Sequence, residues 1–72
     1  MSTFGEHLKS LRKDKKVTQK EVAKAIGATE RNYQHYEANT KRPGFDNLIA
    51  LADFFDVSLD YLVGRSDDPK RH

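Results

Sequence analysis

A chain of 72 residues has room for one small domain with a single hydrophobic core. Hydrophobic residues at 36% and charged residues at 33% favour a folded domain over a disordered segment, and the net charge is +2. The lack of cysteine excludes disulfides and thiolate metal sites, and no apolar run approaches the ~20 residues that span a bilayer, so we expect a cytoplasmic protein.

Charge is divided unevenly along the chain. Ten lysines and arginines against five acidic residues give residues 1–44 a charge of +5, whereas three against six give residues 45–72 a charge of −3. A basic face with an acidic or neutral side opposite is typical of a protein that binds a polyanion. The same side chains can equally serve only to solvate helix surfaces, and composition alone does not decide between the two.

Apolar residues recur at helical spacing and strand-like alternation is nearly absent, so the sequence predicts an all-α fold. The first helix is predicted over residues 3–15, with Phe4, Leu8 and Leu11 on one face. A Thr-x-x-Glu capping box opens this helix, and a second such box opens the next helix, predicted over residues 18–26.

Three further helices follow. The third is predicted over residues 29–38 and the fourth over residues 45–55. Because the apolar stripe of the fourth helix is wide, we expect it to be the most buried one. A short fifth helix can be capped by Ser58 and ended by Gly64.

Residues 19–38 place two short helices on either side of a turn of about three residues. Their backbones have to approach closely, which suits Ala23 at the crossing point and Gly27 in the turn, where a left-handed conformation is needed. The positions expected to face the core are Val22, Ile26, Ala28, Tyr33 and Tyr36. The pattern predicts a helix-turn-helix formed by the second and third helices, with a plain αα-hairpin as the alternative.

Several short motifs, spread from the first helix to the fifth, carry a family resemblance. They are Leu8-x-x-Leu11-Arg12, Thr18-Gln19-x-Glu21-Val22-Ala23, Ile26-Gly27, Tyr36-Glu37, Lys41-Arg42-Pro43, Leu48-x-x-Leu51-Ala52 and Val57-Ser58-Leu59-Asp60-Tyr61-Leu62. With them the sequence resembles the lambda-repressor/Cro-like, or Xre-type, helix-turn-helix family of bacterial and phage regulators. Tyr33, where a smaller aliphatic residue is usual, and Ala38-Asn39, in place of the common Asn-Gly, depart from the family pattern.

The resemblance implies a compact five-helix bundle, a role in transcriptional regulation and binding to DNA operators. We therefore expect residues 1–64 to form a DNA-binding domain and residues 65–72 to be a short flexible tail. A repressor of the phage or mobile-element type, working in the cytoplasm at the nucleoid, is the expected function.

Helical geometry selects the face of the third helix that reads DNA. At 100° per residue, the direction opposite Tyr33 and Tyr36 is occupied by Arg31, Gln34 and His35. Arg31 and Gln34 are the first candidates, because arginine pairs with guanine and glutamine with adenine in the major groove. Recognition helices enter the groove with their N-terminal end first, which adds two more candidates. The complete set expected to contact bases is Glu30, Arg31, Asn32, Gln34 and His35.

Phosphate contacts are expected from groups that flank this helix. Gln19 is the leading candidate, because it lies in the first turn of the second helix and matches the residue that clamps the DNA backbone in the family. The remaining candidates are the two threonines that precede helices and the polar stretch after the third helix. They are Thr18, Thr29, Asn39, Thr40, Lys41 and Arg42.

Arg12 and Glu37 are expected to form a partly buried salt bridge between the first and third helices, in agreement with the family resemblance. The alternative is that Arg12 contacts phosphate only. One recognition helix reads too few base pairs to find a single genomic site, so we expect a homodimer, at least on DNA, and an approximately palindromic operator. The expected interface residues, each of which can equally belong to the core, are Phe54, Tyr61, Leu62 and Val63.

Other kinds of chemistry have little support in the sequence. His7, His35 and His72 are widely separated, and the four glycines form no phosphate-binding loop. We therefore expect no catalytic residue, metal, cofactor, small-molecule ligand or membrane partner. A protein-interaction module such as an antitoxin or antirepressor, built on the same fold, remains the alternative function, and the acidic residues of 45–72 motivate it.

Overall fold

A computed structural model describes residues 3–71, which contain five helices and no strand. The helices are α1 (Phe4–Lys15), α2 (Gln19–Ala25), α3 (Glu30–Glu37), α4 (Phe45–Phe55) and α5 (Leu59–Leu62). The all-α, five-helix prediction is confirmed, and every helix begins and ends within one or two residues of its predicted bounds. The whole unit is small, with a Cα radius of gyration of 11.0 Å.

Side-chain hydroxyls explain where four of the helices begin. Thr3 and Thr18 each accept a hydrogen bond from the backbone N–H three residues later, and the glutamate at that position returns the bond, so both predicted capping boxes are present. Thr29 and Ser58 cap α3 and α5 in the same way, without a returning glutamate. Gly44 precedes α4 and supplies no side-chain cap.

The hydrophobic core lies where α3 packs against α1 and α2, with α4 and α5 closing the other side. Tyr33 and Leu8 are fully buried at its centre. The other buried apolar residues are Val22, Ala23, Ile26, Tyr36, Leu51, Ala52, Val57 and Leu62. All but one of the helix-turn-helix positions predicted to face the core are therefore buried, and Ala28 is half-buried.

Helix α4 is less buried than its wide apolar stripe predicts. Only Leu51 and Ala52 are buried, whereas Leu48 and Phe55 are half-buried and Phe45 is 78% exposed. A domain of this size buries a limited share of its surface, and α4 lies at the edge of the core with only its central turn fully covered. The prediction that α4 is the most buried helix is therefore wrong, because a wide apolar stripe does not by itself bury a helix deeply.

The segment after α5 folds back onto the domain, although the sequence predicts a flexible tail there. The backbone N–H of Ser58 donates to the carbonyl oxygen of Pro69 at 3.0 Å. Arg71 pairs with Asp53 at 2.5 Å and reaches Asp56 at 3.5 Å. Local sequence could not reveal this contact, because its partners lie more than ten residues earlier in the chain.

Candidate nucleic-acid interface

The turn between α2 and α3 brings their backbones close together. Gly27 has a φ of +73°, in the left-handed region where glycine is favoured, as the sequence predicts. The N–H of Ala28 then donates to the carbonyl oxygen of Ala23 at 2.9 Å, and Ala23 is almost fully buried. The small side chain at position 23 is therefore what permits α3 to lie against α2.

Helix α3 has one apolar face and one polar face. Tyr33 and Tyr36 are buried and their rings meet edge to face, 6.2 Å apart. On the other side Glu30, Arg31 and Gln34 are exposed. The tyrosines thus anchor the helix, and its polar side is presented to solvent.

A chain of hydrogen bonds runs from α1 to the polar face of α3. Arg12 donates from Nε to Oε2 of Glu37 at 2.7 Å and from Nη2 to Oε1 at 3.3 Å, which is the expected ion pair in bidentate form. Gln19 Nε2 also donates to Glu37 Oε1, at 3.1 Å. Gln34 Nε2 in turn donates to Gln19 Oε1 at 3.4 Å. The side chain of Gln34 is thereby connected to a nearly buried charge pair.

The protonation of Glu37 reflects these contacts. Burial alone would raise the pKa of its carboxyl group, but the hydrogen bond from Arg12, together with smaller contributions from the neighbouring Tyr33 and Gln19, outweighs burial and leaves the pKa below its usual range. The same bond raises the pKa of Arg12. Burial raises the pKa of Tyr33, whose hydroxyl lies near this pair but makes no hydrogen bond with any described residue. Glu37 is therefore a carboxylate at neutral pH.

A second group of polar contacts lies on the opposite flank of α3. Asn32 and Asn47 both donate from Nδ2 to the hydroxyl oxygen of Tyr36, each at 3.0 Å. Asn47 belongs to α4, so this contact ties the first turn of α4 to the Tyr36 side of α3. His35, one turn further along, contacts the hydroxyl of Thr40 at 2.8 Å.

Residues 8–62 match a protein family described as Helix-turn-helix. The chain belongs to this helix-turn-helix family. The resemblance drawn from the sequence is thereby confirmed, and the αα-hairpin alternative is set aside.

Proteins similar in sequence to this chain include transcriptional regulators. An HTH-type transcriptional regulator of Bacillus subtilis, YobD, is 44% identical over 66 residues, which are 92% of this chain and 59% of that protein. ImmR of the same organism is 33% identical over 70 residues, or 97% of this chain and 55% of that protein. The chain therefore spans less than two thirds of the length of these relatives.

A solved helix-turn-helix structure gives the same fold. The P22 c2 repressor in complex with a synthetic operator superposes with a TM-score of 0.86 at 27% identity, covering 92% of this chain and all of that chain. The five-helix arrangement of this helix-turn-helix domain is thus shared with a repressor seen on its operator.

The residues expected to contact bases all lie on α3, but they differ in exposure and in the hydrogen bonds that they make within the domain. Glu30 and Arg31 are exposed, and Gln34 is exposed but bonded to Gln19. Asn32 and His35 are half-buried, and each has a hydrogen-bond partner within the domain. The face predicted from helical geometry is therefore present, and base contact by each residue stays a prediction.

The residues expected to contact phosphate fall into two groups. Lys41 and Arg42 are exposed in the segment after α3, whereas the Gln19 amide is already engaged within the domain. The hydroxyls of Thr18 and Thr29 accept bonds from their own helices, although each keeps an O–H that can be donated. Phosphate contact by these residues stays a prediction.

Asn39 has a role in the fold that the sequence does not suggest. It adopts a φ of +63°, as the common glycine at such an exit would, and its side chain turns inward. Its Oδ1 accepts from the N–H of Gly5 at 2.9 Å, and its Nδ2 donates to Thr3 Oγ1 at 2.8 Å. The Asn39 side chain therefore joins the start of α1 to the end of α3, and phosphate contact by this exposed residue stays a prediction.

The residues expected at a dimer interface are only partly available. Leu62 is fully buried in the core, which removes it from the expected interface. The Tyr61 ring is half-buried and meets His7 edge to face at 4.9 Å, so His7 is not simply exposed. Phe54 is half-buried beneath the ammonium group of Lys15. Val63, 39% exposed, is the most accessible member of the set.

Two positions of the helix-turn-helix domain were not anticipated from the sequence. Asn47 is a polar residue of α4, and no local pattern in the sequence links it to Tyr36 across the fold. Gly5 is buried inside α1, where an added Cβ atom would lie next to the carbonyl oxygen of Glu37. A glycine within a helical stretch is a signal of close backbone approach that sequence reading could have used.

Residues 3–71 contain no group of three or more histidine, cysteine or acidic side chains that could hold a metal ion. In the same part of the chain, no helix is sufficiently long and apolar to cross a membrane.

Proposed function

We propose that this chain is the DNA-binding part of a transcriptional regulator and that α3 enters the major groove of duplex DNA. The observation that carries the proposal is the polar face of α3, which is anchored from behind by Tyr33 and Tyr36 and from the side by Gln19. Such a surface suits base edges better than a protein partner, because its exposed residues are charged or amide-bearing. The likeness to a repressor seen on its operator supports it further.

Within this proposal, Arg31 and Gln34 read bases directly. Both side chains lie on the exposed face of α3 and have the forked donors and acceptors that distinguish guanine and adenine. Glu30 can accept from the amino group of cytosine, and Asn32 and His35 contribute from the flank of the helix. Lys41 and Arg42 lie just beyond and fix the position of the helix through phosphates.

We also propose that two copies bind one approximately palindromic operator, with half-sites about one helical turn, or ~34 Å, apart. One α3 helix contacts only a few base pairs, and each mismatch changes binding by about 1–3 kcal/mol, which is too little to single out a genomic site. Phe54, Tyr61 and Val63 are the parts of the expected interface that reach the surface. We place this activity in the cytoplasm, as repression of the phage or mobile-element type.

The experiment that tests the proposal is selection of binding sites from a random pool of duplex DNA, followed by titration of the selected site. We expect one enriched, approximately palindromic motif, and a loss of affinity of about 10- to 100-fold for Arg31→Ala and for Gln34→Ala. Arg65→Ala is the matched control, because Arg65 is exposed in the net-acidic part of the chain and should leave affinity unchanged.

Thermal unfolding of each variant checks that α3 remains folded. A failure of the wild-type chain to enrich any motif, with affinity indifferent to Arg31→Ala and Gln34→Ala, would contradict the proposal and favour a protein-interaction module.

A further inference from the structure

Two contacts between His35 and Thr40 bear on which ring nitrogen of His35 carries its proton. His35 Nδ1 lies 2.8 Å from Thr40 Oγ1, and Thr40 Oγ1 lies 3.3 Å from the carbonyl oxygen of His35. Both contacts are hydrogen bonds at the same time in one arrangement only: a carbonyl oxygen can only accept, so the single hydroxyl hydrogen of Thr40 goes to that carbonyl. In this arrangement the hydroxyl oxygen accepts from the ring, and the proton is on Nδ1.

The backbone holds Thr40 in the position that this arrangement requires. Its N–H donates to the carbonyl oxygen of His35 at 3.0 Å, and the N–H of Lys41 approaches the same oxygen at 3.3 Å. These backbone bonds form a turn directly after α3 and keep the Thr40 hydroxyl next to the His35 ring. In a neutral imidazole with its proton on Nδ1, the other nitrogen, Nε2, has a lone pair and accepts hydrogen bonds.

The residues that line the concavity next to His35 include cations and no carboxylate. Together with Arg31 of α3 and Lys41 of the following segment, His35 lines this open concavity beside the polar face of α3. The turn before α3 contributes Thr29 to this concavity and α4 contributes Asn47, both uncharged. No acidic group among the residues lining the concavity therefore competes for the imidazole.

We propose that Thr40 is a positioning residue that makes His35 a hydrogen-bond acceptor, so that His35 selects a base with an exocyclic amino group in the major groove. This inference rests on the proposed function. The bases concerned are adenine, through N6, and cytosine, through N4, whereas guanine presents only acceptors there and would face the lone pair of Nε2. Thr40 thereby sets a preference at a base pair that it does not itself contact.

The tautomer is measured first, in the free protein, by nitrogen-15 NMR of the imidazole at about pH 8, well above the usual titration range of histidine. We expect a protonated Nδ1 in the wild-type chain and in Thr40→Ser, which keeps the hydroxyl. Thr40→Val has the same shape without the hydroxyl and should lose the preference for this tautomer. A wild-type ring with its proton on Nε2 would overturn the inference without touching the proposed function.

Base preference is then measured by site selection with the same variants. At about pH 8 we expect one position of the half-site to favour adenine or cytosine over guanine by about tenfold in the wild-type chain and in Thr40→Ser. That preference should disappear in Thr40→Val and in His35→Ala, with the remaining positions and the unfolding temperature unchanged.

The possible results distinguish the role of Thr40 from DNA binding itself. An enriched motif that Thr40→Val leaves intact at every position, or a guanine preference at the His35-dependent position at about pH 8, overturns the role of Thr40 and leaves DNA binding standing. A wild-type chain that enriches no motif overturns the proposed function, and this inference with it.

Discussion

Glu37 joins the core of the domain to the face that we propose reads DNA. Its carboxylate is only 5% exposed and accepts from Arg12 on α1 and from Gln19 on α2. Three helices therefore meet at one side chain, since Glu37 itself ends α3. Such a charge is tolerated in a buried position because both of its oxygens have partners.

Replacement of Glu37 by alanine should strongly destabilise the domain. Arg12, 14% exposed, would keep its bond to the carbonyl oxygen of Val17 but lose its counter-charge. We expect the free energy of unfolding to fall by about 3 kcal/mol or more, measured by urea denaturation. Glu30→Ala removes an exposed glutamate from the same helix and should cost less than about 1 kcal/mol. Equal losses in the two variants would contradict this account of Glu37.

Glu37 should also shape the response of the domain to acid. Its pKa is lowered in the folded state, so its stabilising effect is complete above the unfolded value of about 4.3 and is lost as the pH falls through the lower folded value. Between about pH 5 and pH 3 the wild-type chain should therefore lose more stability than Glu37→Gln, which has no charge to lose. Glu6, whose pKa is lowered by its bonds to Thr3, contributes alike to both chains. Parallel acid titrations of stability in the two chains would argue against a stabilising Glu37 carboxylate.

At the level of helices, the position of α3 depends on groups outside it. Gly5 lets α1 pass against the end of α3, and Asn39 holds that crossing by accepting from the backbone N–H of Gly5 and donating to the hydroxyl of Thr3. Asn47 of α4 holds the other flank through Tyr36. Helix α3 is thus fixed at both of its sides and at its C-terminal end.

Gly5→Ala tests the crossing of α1 and α3. The new Cβ atom would meet the carbonyl carbon of Glu37 at 2.8 Å, which real side chains avoid, so the helices have to separate. We expect a loss of about 1–3 kcal/mol in the free energy of unfolding, seen as a lower midpoint in urea. Ser10→Ala, at an exposed position of α1, is the control and should be neutral or slightly stabilising. An unchanged free energy of unfolding for Gly5→Ala would contradict this account of the crossing, because α1 and α3 could then move apart without loss of stability.

The helices and the polar face of α3 were predictable because the residues that specify them are close together in the sequence. Capping threonines, Gly27 and the spacing of Tyr33 and Tyr36 act within a few residues of the structure that they specify. The inward turn of Asn39 was not predictable, because its partners are 34 and 36 residues away in the sequence. For the same reason the shallow burial of α4 and the docked C-terminal segment appear only in the folded chain.

At the level of the whole molecule, charge and fold divide the domain into two parts. The net charge of +5 on residues 1–44 includes α1, α2, α3 and the exposed Lys41 and Arg42, whereas residues 45–72 carry −3. Attraction to a polyanion therefore favours the part that contains α3.

The salt dependence of DNA binding should separate these contributions. Lys41→Gln removes one cation next to α3, so the slope of log affinity against log salt concentration should become shallower by about 1. Gln34→Ala should lower affinity for the selected site without changing that slope, because a glutamine displaces no counterion. Titrations at four or more salt concentrations measure both. A slope that Gln34→Ala changes as much as Lys41→Gln would contradict the assignment of base and phosphate contacts.

The bond between Gln34 and Gln19 has a thermodynamic consequence. A glutamine side chain that is mobile before binding loses conformational entropy when it contacts a base, which weakens binding by about 0.5–1.5 kcal/mol. Gln34 gives up part of that freedom when the domain folds, because Glu37 holds Gln19 and Gln19 holds Gln34. Part of the ordering of Gln34 therefore takes place when the domain folds, and the entropy that this side chain loses on binding a base is correspondingly smaller.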